Sequence, residues 1–134
     1  MKKLFTIVTI ALLFCSCSKN NTSNNNTATI DYTGKYQGPT TAKVTAGGST
    51  TSSPYTMVLD ISNGANANEI KILFGSWLTI GTLTGNTFVI QQTTFPGPLV
   101  TTGNGSFSGN TMTISYTNTT SSSVVNYSGT LTKF

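Results

Sequence analysis

The sequence predicts an all-β domain, a single antiparallel meander of about eight strands, and three observations carry that reading. An internal repeat is present: Gly81–Ile90 reads GTLTGNTFVI and Gly105–Ile114 reads GSFSGNTMTI. From Ile30 to the end, turns containing Gly or Asn recur about every ten residues, with apolar residues alternating between them. No segment of that stretch holds an apolar period of 3.6 for the length of a helix.

Both copies of the repeat centre on a Gly-Asn pair, Gly85-Asn86 and Gly109-Asn110. This suits a two-residue hairpin in which Gly takes the first, positive-φ position of a type II′ turn. Two-residue turns fix register, so the partners follow: Thr84 faces Thr87, Leu83 faces Phe88 and Gly81 faces Ile90 in the first hairpin. In the second, Phe107 faces Met112, Gly105 faces Ile114 and Gly103 faces Tyr116. The large apolar residues fall on one face, and glycines opposite bulky neighbours permit the coiling that a closing sheet needs.

The same arithmetic extends upstream. A four-residue loop Asn63–Asn66 pairs Tyr55 with Phe74, Met57 with Ile72 and Leu59 with Ile70, and a tight turn at Gly75-Ser76 sets Phe74 against Trp77. Strands are predicted at residues 34–46, 51–62, 68–74, 77–84, 87–95, 98–108, 111–118 and 122–133. All joins are short, so sequence neighbours should be spatial neighbours. Closure into an up-and-down barrel removes the sheet edges most economically; a two-sheet β-sandwich is the competing arrangement.

Ahead of this domain, Lys2 and Lys3 precede an apolar run, Leu4–Phe14. The run is too short to span a bilayer, which takes roughly 20 apolar residues, and its flanks are those of a secretory signal. The run ends in LLFCSCSK, residues 12–19. This resembles the lipobox of bacterial lipoproteins, in which a cysteine is diacylated, the signal is cut just before it, and the new amino terminus is acylated again. Cys15 follows the bulky Phe14 whereas Cys17 follows the small Ser16, so Cys17 is the expected site of lipid attachment. The expected organisation is a signal peptide over residues 1–16, an acylated cysteine and Asn/Ser/Thr-rich tether over 17–30, and the β domain over 31–134. The resemblance also implies the outer membrane, since Ser rather than Asp follows Cys17. A single acyl chain, at about 0.8 kcal/mol per buried methylene, holds only weakly, whereas several chains anchor stably. A second resemblance is confined to Gly34-x-Tyr36-x-Gly38, which is similar to the Gly-x-Trp start of the lipocalin and calycin group. It implies a lipocalin-like barrel, with Tyr in place of Trp and no Arg near the C-terminus to pack on it.

Composition narrows the chemistry. Histidine and arginine are absent, charged residues make up 7%, and about a fifth of the chain is Thr. Beyond Cys17 the charges are Lys19, Lys35, Lys43, Lys71 and Lys133 against Asp31, Asp60 and Glu69, with no clustered basic patch. Nucleic acid is therefore not an expected partner. Without histidine, and with no thiol left once Cys15 is removed and Cys17 acylated, Ser/His/Asp and Cys/His catalysis are excluded. The expectation is a protein that is not an enzyme and takes no cofactor.

Three features remain. Asp60 and Glu69, which this register sets opposite each other on the outer face, are a weak calcium candidate beside the Asn-rich turn, although the turn itself and the diagonal Lys71 are their ordinary explanation. Tyr36, Tyr55, Phe74, Trp77, Tyr116 and Tyr127 share the inward face, either as barrel filling or as contacts for a small apolar or amphiphilic ligand. Val58, Leu73, Leu78, Ile80 and Val89 share the outer face, where a contiguous patch would suit a protein partner. Two functional expectations follow: a ligand-binding barrel tethered in the envelope, or an interaction module presenting its outer face to another envelope protein or a glycan.

Overall fold

The computed structural model describes residues 31–134; the expected signal and tether, with Cys15 and Cys17, lie outside the described residues. The chain forms β1 (Gly34–Ala46), β2 (Ser49–Asn63), β3 (Glu69–Phe74), β4 (Trp77–Thr84), β5 (Thr87–Phe95), β6 (Leu99–Ser108), β7 (Thr111–Thr119) and β8 (Ser123–Lys133). Each strand pairs antiparallel with the next and β8 pairs with β1, so the sheet closes into an eight-stranded up-and-down barrel. This is the expected closed barrel rather than the sandwich.

Alternation places the side chains. Met57, Leu59, Ile61, Ile70, Ile72, Phe88, Ile90, Phe107, Met112, Ile114 and Leu131 are buried inside. The intervening positions point outward and are mostly Thr, Ser, Asn and Lys, with hydroxyl contacts such as Thr45 Oγ1 to Thr50 Oγ1 (3.0 Å) and Thr117 Oγ1 to Asn126 Oδ1 (2.7 Å). β-branched Thr suits the pleated strand while its hydroxyl faces water. A barrel that spans a membrane has the reverse pattern, with apolar residues on its outer wall.

Both Gly-Asn hairpins have the expected register. Gly85 and Gly109 have φ of 62° and 55° and, among the described residues, no non-glycine residue has positive φ, which matches the type II′ form. Gly75-Ser76 is likewise tight, with Phe74 opposite Trp77.

The β2–β3 register differs from the expected one. Leu59 rather than Tyr55 pairs with Phe74, Ile61 with Ile72, and Asn63 with Ile70. The cause is Gly64, which continues the ladder past β2: its N–H donates to the Glu69 carbonyl at 2.9 Å, and a Cβ there would meet the Glu69 Cβ at 2.3 Å. The loop thus moves to Ala65–Asn68, where the Asn66 N–H donates to Glu69 Oε2 (3.2 Å). The shift is by four residues, so the inward face is conserved and only the height of β3 against β2 changes. Ser49–Val58 consequently extends beyond the end of β3.

A second departure is a β-bulge. Ile90 pairs with Gly103 but Thr93 pairs with Thr101, so Gln91 and Gln92 together oppose Thr102. The extra residue inverts the alternation and turns Thr93 and Phe95 toward the interior.

One end of the barrel is sealed by the segment preceding β1. The Tyr32 ring packs 4.5 Å from Phe107, and its hydroxyl donates to the Gly85 carbonyl at 2.9 Å. Tyr36, fully buried, donates to the Tyr32 carbonyl (3.1 Å) and packs on Phe107, which packs on Phe88. Lys133 Nζ lies 3.1 Å from Asp31 Oδ2, and Thr33 donates to Asp31 Oδ1 from its N–H (3.0 Å) and hydroxyl (2.7 Å). Both ends of the described chain therefore meet at this pole.

Replacement Gly105→Ala should lower the urea midpoint by about 1–3 kcal/mol equivalent at unchanged m-value, because a Cβ there would lie 2.3 Å from Phe88 Cζ and 2.5 Å from the Thr113 carbonyl oxygen. At the sealed end, the Thr33 hydroxyl and then Lys133 hold the Asp31 carboxyl down at about 2. Being depressed, this group adds stability above the ordinary carboxylate value of 3.8 and loses it as pH falls from there toward 2. In Lys133→Ala, a carboxyl NMR titration should find Asp31 moved part of the way back to the ordinary value.

Candidate functional site

At the pole opposite the sealed end, the β3–β4 turn holds Phe74 and Trp77 on either side of Gly75-Ser76. Phe74 reaches across the lumen to Tyr116 on β7, with ring centroids 4.7 Å apart. β3 and β7 are not neighbours in the sheet, so this contact roofs the core. Outside that roof Tyr116 stacks on its cross-strand partner Tyr127 at 4.6 Å and 12°. Tyr127 meets Tyr55 edge-on at 6.0 Å. On the facing side Trp77 lies 4.9 Å from Phe95.

The two unexpected features of the sheet build this mouth. Because β3 stops opposite Leu59, Tyr55 stands clear of it and is 52% exposed; Trp77, at the β3–β4 turn, is 41% exposed. Because of the bulge, Phe95 faces Trp77 instead of the outer solvent. Regular pairing between β4 and β5 ends at Gly81 and Ile90, and the hydroxyls of Thr79 and Thr93, 2.7 Å apart, bridge the strands beyond that point.

Space is distributed unevenly. The gap lined by Phe74, Trp77, Phe95, Thr101, Tyr116 and Asn118 measures about 20 Å³, room for a single water. Beneath it the interior is filled by the buried core. On the rim, Ser76, Trp77, Leu78, Phe95 and Pro96 line a shallow groove of about 460 Å³. Thr101 donates to Asn118 Oδ1 at 2.7 Å, leaving the Asn118 amide hydrogens for another partner.

The mouth is uncharged. Asp31 and Lys133 pair at the sealed pole, Lys35 and Glu69 begin β1 and β3 there, and Lys43, Asp60 and Lys71 occupy outward positions. Burial, and then the neighbouring Tyr127 and Tyr55 phenols, push the Tyr116 hydroxyl well above the ordinary phenol range, and burial followed by Tyr55 raises Tyr127. Three phenols therefore converge on one opening. Aromatic faces, phenols and an amide can stack on and hydrogen-bond a ligand.

Five of the six aromatic residues selected from sequence, Tyr55, Phe74, Trp77, Tyr116 and Tyr127, meet at this mouth. Tyr36 does not: it is at the other pole, fully buried in the seal. Phe95, Thr101 and Asn118 escaped sequence reading; the one signal for Phe95 was an aromatic residue out of phase with Phe88 and Ile90. The expected opposition of Asp60 and Glu69 is corrected by the register. Asp60 pairs with Lys35 and Leu73, and Glu69 with Thr82; the two lie about 13 Å apart along the sheet, four residues at roughly 3.3 Å each. Among the described residues no group of three or more His, Cys, Asp or Glu could hold a metal ion. Of the outer apolar residues, Leu73 pairs with Leu78 and Ile80 with Lys71, while Val58 pairs with Gln37 and Val89 lies between Thr82 and Asn104; Val58, Leu78 and Val89 are exposed. Asp31 and Tyr32 lie at the sealed pole and leave these residues uncovered.

Because burial raises Tyr36, Tyr116 and Tyr127, the unfolded chain ionises first in base. Stability should hold below pH 10, the ordinary phenol value, and decline above it. Urea midpoints measured across that range should fall less steeply in Tyr116→Phe, with the phenolate absorbance of the wild-type barrel appearing late.

Comparison with known proteins finds no match: no family model, no curated protein and no solved structure.

Proposed function

We propose that this chain is a lipid-anchored, non-enzymatic binding module of a bacterial cell envelope that engages its ligand at the aromatic mouth of the barrel. The observation that carries the reading is polar: the mouth lies at the end opposite the residues that lead into β1. Acyl chains on Cys17 hold the amino-terminal side at a membrane, in this reading the outer membrane. The thirteen residues 18–30 give a reach of at most about 45 Å, and the sealed pole then faces the lipid while the mouth faces away.

The filled interior supports a ligand held at the opening rather than one enclosed as cargo. Enclosed sites for small molecules run to about 300–1,000 Å³, against the 20 Å³ lined by inward-facing residues of the mouth. Exposed aromatic residues with polar groups between them are the composition of a contact surface. Leu78, paired with Leu73 on the outer wall, also lines the rim groove, which offers a larger partner an apolar footing beside the mouth.

Two measurements test the proposal. Cys17→Ala should leave the precursor unacylated and its signal uncut by the lipoprotein route, while Cys15→Ala should change little; the opposite result overturns the anchor. Native mass spectrometry of residues 18–134, produced in a bacterial periplasm, should show the bare mass. A retained apolar molecule, still present in Trp77→Ala, would place the ligand inside the barrel and overturn the mouth.

A further inference from the structure

We infer that the ligand of the mouth is a neutral saccharide, an oligosaccharide of pyranose rings whose hydroxyls are equatorial; this rests on the mouth being the binding site. The first ground is shape. An acyl chain gains its affinity by leaving water over its whole length, and ligand pockets bury about 70–90% of what they hold. Here the enclosed space admits one water, and the remainder is an open groove of about 460 Å³ beside Trp77 and Phe95. Such a site covers one face of a ligand and leaves the other wet. A pyranose with equatorial hydroxyls fits that division, because its ring face is a flat array of C–H groups and its edge is polar all round.

The second ground is electronic. The face of an aromatic ring carries partial negative charge, so it attracts the weakly positive C–H groups of a sugar ring. Trp77 is 41% exposed and its ring lies against Phe95 at 4.9 Å and 36°. The bulge at Gln91–Gln92 turns Phe95 toward Trp77, and bulges commonly re-aim a side chain beside a site. The Asn118 amide, in the gap it lines with Trp77 and Phe95, and the Tyr55 and Tyr127 hydroxyls at the same end of the barrel supply donors and acceptors.

The third ground is charge. No Lys, Asp or Glu points into the opening, and the seven charged residues from Asp31 onward lie at the sealed pole or on the outer wall. Lys43, Asp60 and Lys71 stand on the outer wall; inside the opening an anionic headgroup or an acidic glycan would find no counter-charge and a cation no carboxylate. A neutral ligand loses nothing by that, and its binding is insensitive to salt.

Trp77 is the sole tryptophan of the chain, so its emission reports directly on the site. The barrel closes on itself by continuous pairing, so residues 18–134 contain the whole of it. Titration with neutral oligosaccharides of glucose, xylose and N-acetylglucosamine should shift that emission saturably for at least one of them, equally at low and high salt. Isothermal calorimetry should then find binding weakened about tenfold or more in Tyr55→Ala and in Trp77→Ala, with the far-ultraviolet spectrum unchanged. A long-chain fatty acid and an anionic polysaccharide serve as the contrasting probes. If either shifts the Trp77 emission and no neutral saccharide does, the saccharide inference is overturned while the mouth stands. If a saccharide binds equally well to Trp77→Ala and Tyr55→Ala, or if none of the probes binds, both the inference and the mouth fall.

Discussion

Hydrogen bonds between Gly34–Ala46 and Ser123–Lys133 join the first strand to the last, and most other features of the molecule presuppose that seam. Without it β1 and β8 would each be a long free edge, the kind of surface that recruits other chains. With it, the side-chain alternation of every strand refers to one enclosed interior. The outer wall can then be built from threonine and serine with very few charges, because the backbone groups of most strands are already satisfied on both sides. Among the described residues no cysteine is available to cross-link the barrel, so closure and packing carry its stability.

Closure leaves two poles to finish, and the chain finishes them by different means. At one, Tyr32, Tyr36, Phe107 and Phe88 fill the lumen and the Asp31–Lys133 pair fastens the residues that cross it. At the other, the Phe74–Tyr116 contact alone roofs the core, and the aromatic residues outside it are left partly bare. A protein selected only for a sealed core has no use for a partly exposed tryptophan packed against a phenylalanine at that end. The asymmetry between the poles is the strongest structural support for a contact role at the second.

Much of the fold was legible because two-residue turns leave no freedom in register. Gly85-Asn86 and Gly109-Asn110 fixed their hairpins pair by pair, and strand limits followed from them within a residue or two. The turn between β2 and β3 was not legible, since NGANAN offers several phases for a turn and the one adopted depends on Gly64 fitting against Glu69. The bulge in β5 was hidden for a related reason: Gln91 and Gln92 have no preference for either face, so the slip is decided by the neighbours of Phe95. For the site, alternation identified which aromatic residues point inward but not how far from the centre each stands, so Tyr36 was grouped with residues of the opposite pole.

The position of residue 31 beside β1 also determines how the barrel bears load. In a molecule held at its amino-terminal side and gripped at its mouth, tension enters at the start of β1 and leaves at the far end of the barrel. The pull therefore runs parallel to β1, and its hydrogen bonds to β2 on one side and β8 on the other are sheared together instead of being opened in succession. Attachment through a loop at the mouth would instead peel one hairpin at a time. The strand that closes the barrel is thus also the one best placed to resist being drawn out of it.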